Sequence, residues 1–260
     1  VGKEKGAKPM DQGGGGRAPA PAPSEKGEKI MSNEKSAKAV RPFGIRDKIG
    51  YMFGDFGNDF TFILSSMFLM KFYTDIMGVE GWIVGVVMMV ARVVDAFTDV
   101  TMGRICDASK MTPVGKFKPW IRRMCGPVAI ASFLIYQSGL AGMPMGFKIG
   151  WLFVTYILWG SIFYTSINIP YGSMASAISA DPGDRQSLST FRTMGATLAG
   201  VVIGAGIPLI AYDTVEGNSV LNGSRFMLIA GVFSIGAVIC YLLCYSLTTE
   251  RVRPEIDPNA

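Results

Sequence analysis

From Ile49 onward the chain is a succession of apolar runs, each about 20 residues long, which is the length of helix needed to cross the hydrocarbon of a bilayer. The runs fall at about 49–73, 82–103, 119–140, 149–178, 187–211 and 226–247, and they predict an all-α membrane protein built as a bundle of six transmembrane helices. Hydrophobic residues make up 49% of the 260 residues and charged residues 17%, well below the charge content of a soluble domain. The charges that remain are unevenly spread, since 11 of the 25 Lys and Arg precede Tyr51.

The polar segments between the runs alternate in character. After the second run come Arg104, Lys110, Lys116, Lys118, Arg122 and Arg123, and after the sixth come Arg251 and Arg253. The segments after the first, third and fifth runs offer Lys148 and Arg225, with Lys71 near a helix end. This asymmetry places both termini in the cytoplasm. The same distribution accounts for the net charge of +5. Nucleic acid is rejected as a partner, because the basic residues lie between apolar runs and form no patch interleaved with exposed aromatics.

Residues 1–30 are rich in Gly, Pro, Ala and Lys, with little to bury and no apolar core of a signal peptide. Two readings fit this segment: a disordered tail, or a translated upstream region, since Glu25–Ile30 back-translates to a purine-rich ribosome-binding stretch ahead of Met31. Residues 31–48 read as a cytoplasmic N-terminal tail, 49–247 as the transmembrane domain, and 248–260 as the start of a cytoplasmic middle loop. Cys106, Cys125, Cys240 and Cys244 have neither redox nor metal-ligand spacing, and are expected to be reduced apolar fillers. The absence of histidine removes imidazole catalysis and His–metal sites. Gly50 with Gly54, and Gly200 with Gly204, lie one helical turn apart, as close helix packing requires.

The chemistry resides in charges inside the spans. Asp55 and Asp59 lie in the first, Arg92, Asp95 and Asp99 in the second, and Arg192 in the fifth. Each costs about 2.5–3.5 kcal/mol at mid-bilayer on insertion scales, so six together require a function. Asp55 and Asp59 share one face at i, i+4, and Arg92, Asp95 and Asp99 form a stripe at i, i+3 and i+7. Tyr164, Asn168 and Tyr171 make a similar stripe on the fourth helix, with Thr165 beside it. Pro170 frees a carbonyl on the preceding turn. Converging stripes of this kind describe a polar cavity. Two carboxylates a turn apart at low dielectric either hold a proton or bind a cation.

Ala91–Trp120, ARVVDAFTDVTMGRICDASKMTPVGKFKPW, resembles the second-helix and loop signature of the glycoside–pentoside–hexuronide:cation symporters, the melibiose-permease-like branch of the major facilitator superfamily. GDFGNDF (Gly54–Phe60), FYTDIMG (Phe72–Gly78), INIPYGSM (Ile167–Met174) and DRQSLSTFR (Asp184–Arg192) are similar to other segments of that family. The resemblance runs from Arg46 to about Arg253, and implies the N-terminal half of a twelve-helix fold in a bacterial cytoplasmic membrane. It implies cation-coupled symport of a sugar or glycoside, driven by a proton or sodium, with no other cofactor and no enzymatic activity. Its implied partners are the bilayer, the sugar and a facing C-terminal six-helix half.

By the same resemblance Asp95, Asp99 and Thr165 correspond to cation-site residues, with Thr98 and Asn168 at adjoining positions. Asp59, Arg192 and Tyr164 correspond to sugar-binding residues, with Asn58 and Asn168 beside them. Four departures matter. Asn168 replaces a third Asp, Thr98 an Asn, Asn58 a Lys and Gly172 a Trp. The loss of one carboxylate and one amide weakens a sodium site more than a proton site, which favours proton coupling, and Gly172 leaves the sugar open. Two other functions compete with this one. Transport of an amphiphile such as a lysolipid would need a wide apolar cavity, whereas an Asp59–Arg192 pair favours a sugar. An intramembrane aspartyl protease would need a GxGD motif, but Met52 occupies the place of its first glycine, and Tyr212–Asp213 falls at a helix end.

Overall fold

A computed structural model describes residues 41–252. Residues 1–30, most of the 31–48 tail, Arg253 and the rest of the 248–260 loop lie outside the described residues. Six long helices follow in order: α1 (Ile45–Asp75), α2 (Gly81–Ala108), α3 (Lys118–Ile135), α4 (Met145–Ile178), α5 (Pro182–Ala211) and α6 (Gly223–Leu247). By length and composition, α4, α5 and α6 are apolar enough to cross a membrane. With 31 and 28 residues, α1 and α2 have the length, but both carry the charges singled out above.

The outer face is unlike that of a water-soluble bundle. Asp47, Asp55, Asn58, Thr61 and Ser65 of α1 are buried, while Trp82, Met89, Phe97, Leu209 and Val232 are exposed. Apolar side chains on the outside suit a hydrocarbon solvent, while the buried polar groups sit beside a large apolar core.

α1 packs chiefly along α5 and α6, α3 along α6 and α4, and α2 along α4. The α1–α6 contact is made by glycine. A Cβ at Gly50 would lie 2.7 Å from Leu247 Cβ, and one at Gly54 would collide with the Tyr171 ring and sit 2.8 Å from Cys244 Sγ. Gly200 and Gly204 are looser, with Ile63 and Met67 atoms no nearer than 3.7 Å. Cys106, Cys125, Cys240 and Cys244 are free and buried.

Two boundaries differ from the apolar pattern. α3 ends at Ile135 because Tyr136 leaves helical geometry (φ −103°, ψ 49°) to bury its ring against Phe72 and Phe226, at 5.4 and 5.3 Å. The Gln137 amide closes that end by donating to the Phe133 carbonyl at 2.7 Å. Between α5 and α6, where the apolar pattern predicts only a loop, stands a hairpin, β1 (Tyr212–Val215) paired antiparallel with β2 (Asn218–Leu221). Glu216 and Gly217 make its two-residue turn with φ of 52° and 83°, the left-handed pair that matches strand twist.

The segment after α6 is bound into the bundle. Fully buried Asp47 accepts from Arg251 through both carboxylate oxygens (3.2 and 2.8 Å), from Arg41 at 2.8 Å and from the Thr249 N–H at 3.0 Å. The Arg251 and Val252 N–H groups donate to the Ala177 carbonyl at the end of α4, at 2.7 and 2.9 Å. Glu250 accepts from the N–H groups of Lys116, Phe117 and Lys118 at 2.6, 3.0 and 2.7 Å. Those donors are the unpaired amides at the start of α3, where a carboxylate is favoured electrostatically.

Candidate functional site

α2 and α4 place two hydroxyl–carboxylate pairs side by side. Ser161 Oγ donates to Asp95 Oδ1 at 2.5 Å, and Thr165 Oγ1 to Asp99 Oδ1 at 2.9 Å. The two acids are one turn apart on α2, and the two hydroxyls four residues apart on α4. α4 widens here into a π-helical stretch, Leu158–Tyr164, which holds Ser161 and carries on into Thr165. Such wide turns interrupt α-helices mostly at functional sites. Arg92 completes the set, its guanidinium 3.2 Å from Asp95 Oδ2 and over the Phe62 ring at 6.0 Å.

These groups open into a cavity of about 460 Å³ lined by Arg92, Asp95, Asp99, Trp159, Tyr164, Thr165 and Asn168, with Phe62 and Tyr156 among its aromatic walls. Trp159 is almost wholly buried, and its indole N–H has no hydrogen-bond partner among the described residues. Behind Asn168 a chain of amides leads into the core. Tyr241 OH donates to Asn58 Oδ1 at 2.8 Å, and Asn58 Nδ2 donates to Asn168 Oδ1 at 3.2 Å. Asn58 is therefore buried one bond behind the cavity, with both ends of its amide engaged.

A second polar centre joins α1 to α5. Arg192 Nε donates to Asp55 Oδ1 at 2.8 Å, and its guanidinium lies over the Tyr171 ring at 5.5 Å. The sequence reading set Arg192 against Asp59. The structure pairs it with Asp55 one turn earlier, because Gly195 brings α5 to within 2.8 Å of the Met52 carbonyl, measured from a Cβ placed there. Asp59, half-buried, makes no ion pair or side-chain hydrogen bond among the described residues.

Of the residues singled out from sequence, Asp95, Asp99, Tyr164, Thr165 and Asn168 meet at the cavity, while Asp59 and Arg192 do not line it. Thr98 does not line it either. Its hydroxyl lies 3.2 and 3.1 Å from the Val94 and Asp95 carbonyls of its own helix, beside a neighbouring groove that Ser161 and Thr165 also border. Ser161 escaped the sequence reading. The spacing Ser161, Thr165, Asn168 was visible as i, i+4, i+7, but a lone serine in an apolar helix carries no signal until its partner is seen. Among the described residues no group of three or more His, Cys, Asp or Glu side chains could hold a metal ion.

The profile of the MFS/sugar transport protein family matches residues 50–260. The isoprimeverose transporter of Lactiplantibacillus pentosus is 32% identical over 208 residues, which is 80% of this chain and 42% of that protein. The glucuronide carrier protein homolog of Escherichia coli (strain K12) is 34% identical over 208 residues, 80% of this chain and 44% of that protein. The chain belongs to the glycoside–pentoside–hexuronide:cation symporter family.

This family consists of transporters, not enzymes, and its members are integral membrane proteins. The chain matches the N-terminal region of these symporters and spans about half the length of the curated relatives it matches. In this chain the loop that carries the family resemblance, Gly115–Trp120, is the one whose backbone N–H groups hold Glu250. Gly115 sits at φ 123°, and a side chain there would collide with the Glu250 carboxylate. The glycine of the motif is thus accounted for by packing.

Proposed function

We propose that the chain forms one six-helix wall of a symporter that moves a sugar or glycoside with a proton or sodium ion. The observation that carries this reading is the double pairing of Ser161 with Asp95 and Thr165 with Asp99 beside an aromatic-walled cavity. Asp95 is partly buried and Asp99 exposed where they line the cavity; each carboxylate is held by a hydroxyl and Arg92 engages Asp95, so acidic oxygens face the cavity for an incoming cation. The ligands offered are hard oxygens, suited to a proton or an alkali cation and ill suited to a soft metal. Asp95, Asp99 and Thr165 are assigned to the coupling cation. The missing third carboxylate at Asn168 favours the proton.

Arg192, Asp59, Tyr164 and Asn168 are assigned to the sugar. Asp55 holds Arg192 through Nε and leaves both terminal nitrogens without a partner among the described residues, free for adjacent hydroxyls. Asp59 supplies acceptor oxygens one turn on, and Tyr164 an aromatic face. A sugar also agrees with the names of the relatives, an isoprimeverose transporter and a glucuronide carrier homolog.

In this reading all six helices cross a bacterial cytoplasmic membrane, both chain termini are cytoplasmic, and a second six-helix half faces the cavity. Alternating access then rocks one half against the other around a site near mid-membrane. The exposed apolar faces of α2 (Met89, Val93, Phe97) and α5 (Met194, Leu198, Val201) meet that half or lipid. The function is tested by uptake of labelled glycosides, glucuronides and free sugars into cells expressing the whole transporter, with and without an ionophore. Ionophore-sensitive accumulation of at least one sugar is expected, with loss of binding in Asp59→Asn. Accumulation of lysolipids and of no sugar would refute the reading. Topology is tested separately. A cysteine at Gly217, in the tip of the hairpin, should react with an impermeant maleimide from outside intact cells, whereas one at Ser109 should not; the reverse pattern would invert the assignment.

A further inference from the structure

Sharing no lining residue with the cavity, α3 and α6 form an open apolar groove of about 350 Å³, lined by Gly126, Ala129, Ile130, Phe133, Gly231 and Ile235. Its floor is thin. A Cβ added at Gly126 would meet nothing within 4 Å, and Ser234, also in the lining, has a buried hydroxyl without a partner among the described residues. No other helix of the described bundle lines it.

The groove has a polar end. Lys118, Arg122, Gly126, Ala129 and Phe133 recur at helical spacing along one face of α3. On antiparallel α6, Gly231, Val238 and Tyr245 follow in step. Lys118 Nζ and the Arg122 guanidinium both lie over the Tyr245 ring, at 4.8 and 5.8 Å. Arg122 is exposed and forms no ion pair among the described residues. From Arg122 to Phe133 the helix rises about 16 Å. That is about half of the ~30 Å hydrocarbon thickness, the reach of an acyl chain within one leaflet.

We infer that the α3–α6 groove is a binding site for an anionic phospholipid, with one acyl chain lying between Gly126 and Phe133 and the phosphate held by Arg122 and Lys118 beside Tyr245. Length, apolar lining and a cationic cluster confined to one end agree with a lipid whose headgroup is negative. A transmembrane helix of another protein would fill the groove without using the unpaired charge. The site lies apart from Asp95, Asp99, Asp59 and Arg192, so it holds whichever sugar and cation the cavity takes.

The test is native mass spectrometry of the detergent-purified protein, titrated with phosphatidylglycerol and with phosphatidylcholine of the same acyl chains. Phosphatidylglycerol should be retained about thirtyfold better, as two cations near a membrane surface imply at about 1 kcal/mol each. Arg122→Ala should lower that preference severalfold while acyl-chain binding persists. Gly126→Leu should fill the groove and abolish retention of both lipids; if that variant does not fold, Ile130→Trp, at the exposed rim, takes its place. Equal retention of the two lipids, or unchanged retention in the groove-filling variant, would show annular contact only and overturn the site. Capture of another protein's helix by a photo-crosslinker at Ile130 would overturn it equally.

Discussion

Asp95→Asn and Asp99→Asn together are expected to abolish uphill accumulation of the transported sugar, while sugar exchange down its gradient survives. Asparagine keeps the size of each side chain and can still accept from Ser161 and Thr165, at 2.5 and 2.9 Å in the native pairs, so the α2–α4 contact is retained. What disappears is the negative charge that makes cation entry favourable in the bundle. Arg92, now 3.2 Å from Asp95, loses its counter-charge in the same step and is half-exposed, so it can turn toward solvent or headgroups. Asp99→Asn alone should uncouple as well, because Asp95 is already engaged by Arg92. The complementary variant, Asn168→Asp, restores a third carboxylate at the cavity and should raise the response to sodium over that to protons. Counterflow and gradient-driven uptake, measured in the same vesicles, separate the outcomes. Uphill transport by the double variant would remove Asp95 and Asp99 from the coupling site.

Asp47→Ala should destabilise the bundle by about 3–5 kcal/mol, the usual cost of removing one partner of a buried ion pair. Asp47 is fully buried, and Arg251, at 16% side-chain exposure, has little water to fall back on. Loss of the carboxylate also orphans the Thr249 N–H and loosens Arg41. The effect extends beyond α1, because Arg251 is tied to the Ile178 carbonyl and neighbouring Glu250 to the start of α3. Arg251→Lys should recover little, since an ammonium cannot reproduce the two-point contact with Asp47. Thermal unfolding in detergent of the two single variants and the double variant gives the coupling energy between them. A shift of less than about 1 kcal/mol for Asp47→Ala would show a solvated, weak pair in place of a buried one.

Both results bear on how much of this protein is legible in its residues. The apolar runs located six helices to within about five residues at each end, three of them long and apolar enough to cross a membrane, because the length of an apolar run is a local property of composition. The stripe Arg92, Asp95, Asp99 was equally local, since helical spacing alone puts those side chains on one face. Where the reading stopped, the missing quantity was rotation or depth of one helix against another. Arg192 could meet Asp55 or Asp59, both on one face of α1, and the close approach at Gly195 selected Asp55. Thr98 lies one residue from Asp99 in the chain, yet a helix turns about 100° per residue, so it lines the neighbouring groove that Ser161 and Thr165 also border.

The sequence by itself determined an apolar helical bundle, its family and the two acid-bearing stripes, all of which depend on residues close together in the chain. The tertiary structure alone decided which groups those stripes meet. Ser161 reached Asp95 through a π-turn that no local pattern announces, and Arg251, read from sequence only as a marker of topology, became the partner of Asp47, 204 positions away. Such contacts are chosen by the packing of whole helices, where a small change in helix rotation exchanges one partner for another.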